Sequence, residues 1–160
     1  MTASVDVTTH ITIAAPRQTC FEYIVPVSLS HIFHPYLFIP GVVRTDEFAR
    51  WVTPGLSRTV YFTDGARATE SLQTVESPES FSYEITAFTG INKFLVTSIN
   101  GTWQFSENTA GGTDIKWRYS LNCRNILTEW IARFFVAPAL RAFLQRALQV
   151  LKVDLEKGGK

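Results

Sequence analysis

The stretch from Ser57 to Tyr83, SRTVYFTDGARATESLQTVESPESFSY, most constrains how this chain can fold. Its Asp-Gly dipeptide lies between two runs rich in Thr, Val, Tyr and Phe, which is a strong signal for a β-hairpin. A two-residue turn at this dipeptide would pair Tyr61 with Ala68 and Thr59 with Glu70, counting outward from the turn. The pattern therefore predicts two adjacent antiparallel strands, with a carboxylate among apolar and hydroxyl neighbours.

This register divides the hairpin residues between two faces of the predicted sheet. One face carries Thr59, Tyr61, Ala68, Glu70 and Leu72. The opposite face carries Arg58, Val60, Phe62, Arg67, Thr69 and Ser71. Alternation alone does not decide which of the two faces is covered by the rest of the chain.

Length and charge indicate one domain that has no charged interaction surface. The chain has 160 residues and a net charge of +1, without a block of like charges. A single domain, residues 1–160, of this length can bury a full core. An even charge distribution indicates neither a nucleic-acid partner nor a polybasic membrane patch.

The sequence shows neither a signal peptide nor an integral membrane segment. The N-terminal MTASVDVTTH has no basic region followed by an apolar run, so we expect a cytoplasmic protein. The most apolar region, residues 130–151, is interrupted by charged and amide side chains, which argues against an ordinary spanning helix. Those side chains are Arg133, Arg141, Gln145 and Arg146.

Apolar periodicity and turn residues predict the order of the remaining elements. A first strand over residues 5–14 is followed by a short helix after Pro16 and a second short helix from Ser28 to Pro35. Thr89 to Lys93, TGINK, is predicted to be a loop. The predicted strands after the two helices are Ile39–Phe48, the two hairpin strands, Phe81–Ala87, Leu95–Phe105 and Ile115–Leu121.

The C-terminal part is predicted to be a long helix over residues 127–155. Its apolar stripe shifts at Pro138 by roughly a third of a turn, at about 100° per residue. Either Pro138 bends the helix, or the first turns are enclosed on most sides and the last turns pack on one. The stripe contains Leu127, Trp130, Ile131 and Phe134 before the proline, and Leu140, Phe143, Leu144, Leu148 and Leu151 after it.

This order of elements resembles the START-like (SRPBCC) superfamily, and within it the polyketide cyclase/dehydrase and lipid transport group. The resemblance rests on IAAPRQTCFEYIV after the first strand, on DGARATE in the hairpin and on GGTDIKWRYS before the last helix. It extends over residues 5–155. It implies an α+β helix-grip fold, in which a curved antiparallel sheet of about seven strands wraps around the C-terminal helix, with two short helices after strand one. A cavity lies between sheet and helix in this fold.

The resemblance also indicates which face of the hairpin lines the cavity. Plant abscisic acid receptors share the fold, and their Thr-Glu-x-Leu stretch is similar to residues 69–72 here and turns its glutamate inward. Glu70 is then expected to face the cavity. By strand alternation the expected lining includes Thr59, Tyr61, Ala68, Leu72, Tyr83, Trp103, Trp117 and Tyr119. Further candidate ligand-binding residues are His34, Phe38, Phe134 and Phe135.

Three of these residues are candidates for catalysis. Burial of Glu70 without a partner would be expected to raise its pKa, as a general acid or base near neutral pH requires. Tyr83 and Tyr119 could donate hydrogen bonds to a carbonyl that becomes an enolate. The alternative is that Glu70 only orients a polar ligand group while hydrogen-bonded to Thr59, Tyr61 or water. The aromatic side chains either stack on a flat ligand or fill the core.

Neither a metal nor another cofactor is expected. His31 and His34 lie three residues apart, but His10 is distant in sequence and no acidic residue lies near them. Cys20 and Cys123 fit no CxxC spacing, so we expect reduced, buried thiols. The sequence contains no GxSxG, GxGxxG or Walker-type loop.

Two functional hypotheses follow from the resemblance and the candidate residues. In the first, the cavity binds a polyketide-like ligand and cyclises or dehydrates it by enclosure and proton transfer. In the second, the protein carries a lipid or isoprenoid without changing it. Both require only a small hydrophobic partner, and the protein would be a monomer or homodimer. We expect the cavity to open between the loop Thr89–Lys93 and the segment His31–Phe38, which would separate to admit the ligand.

Overall fold

The predicted order of strands and helices is present in the computed structural model, which describes residues 3–46 and 50–158. The strands are β1 (Ala3–Ile13), β2 (Val42–Asp46), β3 (Ser57–Phe62), β4 (Arg67–Glu76), β5 (Ser80–Thr86), β6 (Val96–Glu107) and β7 (Thr113–Cys123). The helices are α1 (Arg17–Ile24), α2 (Leu29–Ile32), α3 (Asn92–Leu95), α4 (Ile126–Ile131) and α5 (Ala137–Gly158), and a π-helical turn (Ala132–Val136) joins α4 to α5.

All seven strands form one antiparallel sheet in the order β1-β7-β6-β5-β4-β3-β2. Each strand after β2 pairs with the one before it, and β1 closes the order beside β7. The last helix, α5, packs across the sheet, with Leu144, Leu148 and Leu151 fully buried. The predicted helix-grip fold is confirmed.

The sequence prediction departs from the structure at the second strand and in the loop before β6. The second strand begins at Val42 instead of Ile39, and its predicted end at Phe48 lies outside the described residues. The predicted loop Thr89–Lys93 runs into a single helical turn, α3, which carries Phe94 at its outer side. An isolated turn of helix has no apolar periodicity, so the sequence pattern could not indicate it.

The hairpin between β3 and β4 has a three-residue loop, and the predicted register is therefore wrong by one residue. The amide of Gly65 donates to the carbonyl of Phe62 at 3.1 Å, and the amide of Phe62 donates to the carbonyl of Ala66 at 2.9 Å. Gly65 has a φ of +86°, as the last loop residue of such a hairpin requires. The side chain of Asp64 accepts a hydrogen bond from the amide of Ala66 at 2.9 Å and so stabilises the loop.

The corrected register changes which β3 residues face the core. Arg58 pairs with Glu70 and Val60 pairs with Ala68. Arg58 and Val60, both at most 5% exposed, therefore lie on the inner face together with Ala68, Glu70 and Leu72. Thr59 lies on the outer face, which contradicts its predicted place in the cavity lining.

Tyr61 also lies on the outer face, which contradicts its predicted place in the lining. Its hydroxyl donates to Oδ2 of Asp46 at 2.7 Å. The guanidinium of Arg44 lies over its ring, 3.8 Å from the centroid. Tyr61 thus ties β3 to the edge strand β2.

The π-helical turn explains the shift of the apolar stripe in the C-terminal helix. The amide of Ala137 donates to the carbonyl of Ala132, five residues earlier, directly before Pro138. One extra residue in the turn rotates the following helix by about 100° relative to the preceding one. The first turns are not enclosed: Leu127 is 67% exposed and Trp130 is 59% exposed. The predicted alternative, in which the first turns of the C-terminal helix are enclosed on most sides, is therefore wrong.

One glycine of β6 leaves space for an aromatic ring of the core. Gly101 pairs with Tyr83, and a Cβ atom at this position would lie 2.3 Å from Cζ of Tyr83. The Tyr83 ring therefore covers the backbone of Gly101. Beside it, Trp103 and Trp117 stack with ring centroids 4.1 Å apart.

Replacing this glycine should displace the Tyr83 ring. We expect Gly101→Ala to lower the free energy of unfolding by about 1–3 kcal/mol, the usual cost of overpacking a core. The same substitution should cost less in a Tyr83→Leu background, because the shorter side chain leaves room for the new methyl group. Urea denaturation of the four proteins measures this, and equal costs in both backgrounds would contradict the proposed contact.

A candidate ligand cavity

A cavity of about 600 Å³ lies between the inner face of the sheet and the C-terminal helix. Every strand and helix described above except α1 and β1 contributes at least one residue to its lining. Its lining consists of Leu29, Phe33, Phe38, Ile39, Pro40, Val42, Val60, Phe62, Glu70, Ile85, Phe88, Ile91, Asn92, Phe94, Leu95, Val96, Ile99, Tyr119, Leu121, Thr128, Ile131, Phe135, Val136, Leu140 and Phe143.

The lining is apolar except at four side chains. Glu70 and Tyr119 project from the sheet, whereas Asn92 and Thr128 lie on α3 and α4. All other lining residues are aliphatic or aromatic or, in one case, proline. A cavity of this size and composition suits a largely apolar ligand with few polar groups.

Glu70 forms a buried ion pair with Arg58. Oε1 of Glu70 accepts hydrogen bonds from Nε of Arg58 at 2.7 Å and from Nη2 at 2.6 Å. Both side chains are at most 5% exposed. The guanidinium also stacks on Trp51, 4.0 Å from the ring centroid. Glu70 is therefore a paired carboxylate, with Arg58 as its partner in place of the predicted Thr59 or Tyr61.

The sequence prediction missed Arg58 because a two-residue turn would place it on the outer face. Asp-Gly turns also occur in three-residue loops, in which glycine takes the final, left-handed position. The sequence does contain a signal for the three-residue loop. That loop pairs Arg58 with Glu70, and an Arg and a Glu at directly paired positions can form an ion pair inside a core.

Tyr83 and Tyr119 lie next to this ion pair and act as hydrogen-bonding groups in their neutral form. Burial, and then the charge of Glu70, raise the pKa of Tyr83 far above its usual range. Burial, and then the neighbouring Tyr83, raise the pKa of Tyr119 in the same direction. Both phenols therefore stay protonated at neutral pH. The hydroxyl of Tyr83 accepts a hydrogen bond from Nε1 of Trp117 at 3.0 Å.

Nine of the predicted site residues lie in or near the cavity, in three groups. Glu70, Tyr119, Phe38 and Phe135 belong to the cavity lining. Tyr83, Trp103 and Trp117 lie below it, around a void of about 20 Å³ that Glu70 also borders. Ala68 and Leu72 are buried on the inner face outside the lining.

Four predicted residues lie away from the cavity. Besides Thr59 and Tyr61, these are His34 and Phe134. His34 is exposed and Nε2 of its ring lies 3.0 Å from the carbonyl of His31. Phe134 is 58% exposed because it lies within the π-helical turn on the side opposite the buried Ala132.

The cavity opens to solvent at an apolar mouth. We identify the mouth by the residues that line the cavity and are also exposed to solvent. They are Phe38 (63% exposed), Ile91 (79%), Phe94 (64%), Ile131 (40%) and Phe135 (71%). The two segments predicted to flank the opening both contribute, and α4 with the π-helical turn forms a third side that the sequence prediction missed. Separation of the segments on ligand entry stays a prediction.

His31 takes part in a polar contact between three helices. Nε2 of His31 lies 2.6 Å from Oδ2 of Asp154, and the hydroxyl of Tyr23 donates to the same oxygen at 2.8 Å. This contact joins α1 and α2 to α5. Within residues 3–46 and 50–158 there is no group of three His, Cys, Asp or Glu side chains that could hold a metal ion.

The C-terminal helix is apolar enough to meet the length and composition criteria of a membrane span. It runs over Ile126–Lys157, and only 44% of its most apolar window is buried. Its α5 part is the core helix of the fold, with Leu144 and Leu148 fully buried. The unburied apolar residues are concentrated in α4 and the π-helical turn.

The ion pair should contribute strongly to folding. We expect Glu70→Gln to lower the free energy of unfolding by about 3 kcal/mol or more, because it leaves the Arg58 guanidinium buried without its carboxylate. The double variant Arg58→Met/Glu70→Leu should be more stable than Glu70→Gln. Glu129→Gln is the matched control, since it removes the partner of Arg133 in an ion pair at the surface, where the Arg133 side chain is 51% exposed, and it should cost less than about 1 kcal/mol. Equal stability of Glu70→Gln and the wild type would contradict the assignment.

Comparisons with known proteins agree with this fold. No curated protein sequence matches the chain. Ginseng major latex-like protein 151 from Panax ginseng superposes with a TM-score of 0.70 at 10% identity, over 96% of this chain and 98% of that one. Ara h 8.0201 superposes with a TM-score of 0.69 at 14% identity, over 95% and 97% of the two chains.

A third similar structure comes from a biosynthetic locus. DynU16, described as a putative protein in the dynemicin biosynthetic locus, superposes with a TM-score of 0.64 at 18% identity. The match covers 96% of this chain and 48% of DynU16. The sequence profile of the family described as polyketide cyclase/dehydrase and lipid transport matches residues 4–156. The chain therefore belongs to the polyketide cyclase/dehydrase and lipid transport family.

Proposed function

We propose that the protein binds a small, mostly apolar ligand in the cavity and carries it without changing it. The observation that carries this proposal is the composition of the lining. Most of the lining side chains are apolar, and the sheet contributes only two polar ones, Glu70 and Tyr119. The Glu70 carboxylate already accepts two hydrogen bonds from Arg58. Such a carboxylate is a fixed charge that orients a ligand, and it is a poor proton acceptor.

The ligand is expected to have a polar group at one end. Tyr119 presents a neutral phenol to the cavity beside the charge of Glu70. A hydroxyl or carbonyl group of the ligand could bind there, while the apolar remainder fills the space below α5. Long-chain alcohols, isoprenoids and partly reduced polyketides meet this description.

A pair of matched variants tests whether the cavity is the binding site. We expect Val60→Phe to weaken binding by about tenfold, because the larger side chain fills part of the cavity. Val43→Phe makes the same change at an exposed position of β2 and should leave affinity unchanged. Binding is measured by fluorescence of 1-anilinonaphthalene-8-sulfonate and by its displacement with farnesol. Equal affinities in both variants would overturn the proposed site.

A polyketide cyclase/dehydrase is the second candidate function. It is favoured by Glu70 and Tyr119 lining the same cavity, and by the structural similarity to DynU16, a protein of the dynemicin biosynthetic locus. In that reaction Tyr119 would donate to a substrate carbonyl and stabilise the enolate, and the enclosed space would fold the flexible chain.

The two functions differ in their response to loss of one hydroxyl group. If the protein is a cyclase, it should accelerate aldol closure of a poly-β-keto thioester, and Tyr119→Phe should lower kcat by about 100-fold or more. A carrier should leave the rate of closure at its uncatalysed value in both proteins. Product analysis by liquid chromatography and mass spectrometry distinguishes these results, with Tyr61→Phe as the control at the outer face.

A further inference from the structure

The exposed apolar residues of this protein are concentrated around the cavity mouth. Beyond the mouth residues, Ile126 (71% exposed), Leu127 (67%), Trp130 (59%) and Phe134 (58%) continue the same surface along α4 and the π-helical turn. We call these four residues together with the mouth residues the apolar rim. The rings of Trp130 and Phe134 lie against each other with centroids 5.2 Å apart.

An outward-facing helix side of this composition requires a physical explanation. No side chain of α4 is fully buried. Thr128 and Ile131 line the cavity, whereas Ile126, Leu127 and Trp130 point to solvent. Contiguous apolar patches of this kind on soluble proteins mark interaction sites. The stable capping box formed by Asn125 and Thr128 fixes the start of α4, so the exposure is a feature of an ordered helix.

The charges next to the apolar rim are mainly positive. The segments that form it carry three basic side chains, Lys93, Arg124 and Arg133, and one acidic side chain, Glu129. Glu129 is paired with Arg133 at 2.9 Å. Within the described ranges neither Lys93 nor Arg124 takes part in a salt bridge, and the ammonium group of Lys93 lies 5.0 Å from the Phe94 ring centroid. The rim therefore combines aromatic side chains with unneutralised positive charge.

We propose that the apolar rim docks on the surface of a lipid bilayer that contains anionic lipids. Aromatic and aliphatic side chains would enter the boundary between headgroups and acyl chains, and Lys93 and Arg124 would face the phosphate groups. The cavity mouth lies within the docked surface, so a ligand could pass between bilayer and cavity without crossing water. That last step rests on the proposed binding function, whereas docking itself rests only on exposure and charge.

A lipid surface fits the rim better than a second copy of the chain. In a two-fold symmetric dimer the same surface meets itself, so Lys93 and Arg124 of each copy would approach the like charges of the other. A bilayer with anionic headgroups supplies the opposite charge. Charge complementarity therefore favours the bilayer, and dimerisation is an outcome that the experiment can detect.

Trp130 provides an intrinsic probe for docking. All four tryptophans lie in the described part of the chain, and Trp51, Trp103 and Trp117 are at most 3% exposed. We expect the emission of Trp130 to shift to shorter wavelength when vesicles of phosphatidylcholine mixed with phosphatidylglycerol are added, and lipids brominated in their acyl chains should quench it. Vesicles of phosphatidylcholine alone should produce a smaller change.

Variants outside the cavity lining separate docking from ligand binding. We expect Trp130→Glu and Phe134→Glu to reduce co-sedimentation with the mixed vesicles by about tenfold or more, since each removes a large apolar group from the interface. Lys93→Gln should reduce it by about fivefold. The controls are Val153→Glu on the exposed side of α5, which is 55% exposed, and Lys116→Gln on β7. Both controls should sediment like the wild type.

Each possible result has a defined meaning. Loss of vesicle binding in Trp130→Glu with unchanged binding of 1-anilinonaphthalene-8-sulfonate in solution supports the docking proposal. Vesicle binding by a wild-type protein that binds neither the dye nor farnesol would support docking and overturn the proposed function. The docking proposal is overturned if the wild type does not sediment with the mixed vesicles, or if Trp130→Glu sediments equally well. It is also overturned if analytical ultracentrifugation shows a dimer that Trp130→Glu dissociates.

Discussion

The buried ion pair between Arg58 and Glu70 determines how the first hairpin must sit in the fold. A carboxylate removed from water on an otherwise apolar face requires a partner, and the guanidinium provides two hydrogen bonds in a fixed planar geometry. Only the three-residue loop ending at Gly65 places both residues on the same face. A slip of one residue on β3 would move Arg58 to the outside and leave Glu70 buried without it. The ion pair thus fixes the register of the hairpin.

The cavity follows from how the large aromatic side chains are distributed. Close ring stacking fills the space between α1 and strands β5, β6 and β7. The stacked rings are those of Phe81, Trp103 and Trp117. Toward β3, β4 and α3 the inner face carries smaller side chains such as Val60 and Ala68. The sheet and the C-terminal helix therefore remain apart there. The polar groups of Glu70 and Tyr119 lie at the boundary between the filled and the open part, where a ligand would end.

Much of this fold could be predicted from the sequence, because alternation and helical periodicity report directly on burial. The strand from Ile115 to Leu121 and the core face of α5 are examples, and the resemblance to the family supplied the direction of Glu70. Loop length could not be predicted, since Asp-Gly is compatible with two- and three-residue loops. This single ambiguity placed Thr59 and Tyr61 in the lining and left Arg58 out. The exposed side of α4 was missed because periodicity shows that a helix has an apolar side, and does not show whether that side is covered.

The π-helical turn connects two parts of the C-terminal helix that differ in burial. Before it, α4 exposes the apolar side chains of the rim; after it, α5 is held in the core by Leu144, Leu148 and Leu151. Its hydrogen bonds span five residues and Pro138 lacks an amide donor, so the helix is less regularly bonded here than on either side. A change in the position of α4 can therefore be accommodated at this turn while α5 stays packed on the sheet. Because Ile131 and Phe135 form part of the mouth, such a change would alter the width of the opening without disturbing the buried pair of Arg58 and Glu70.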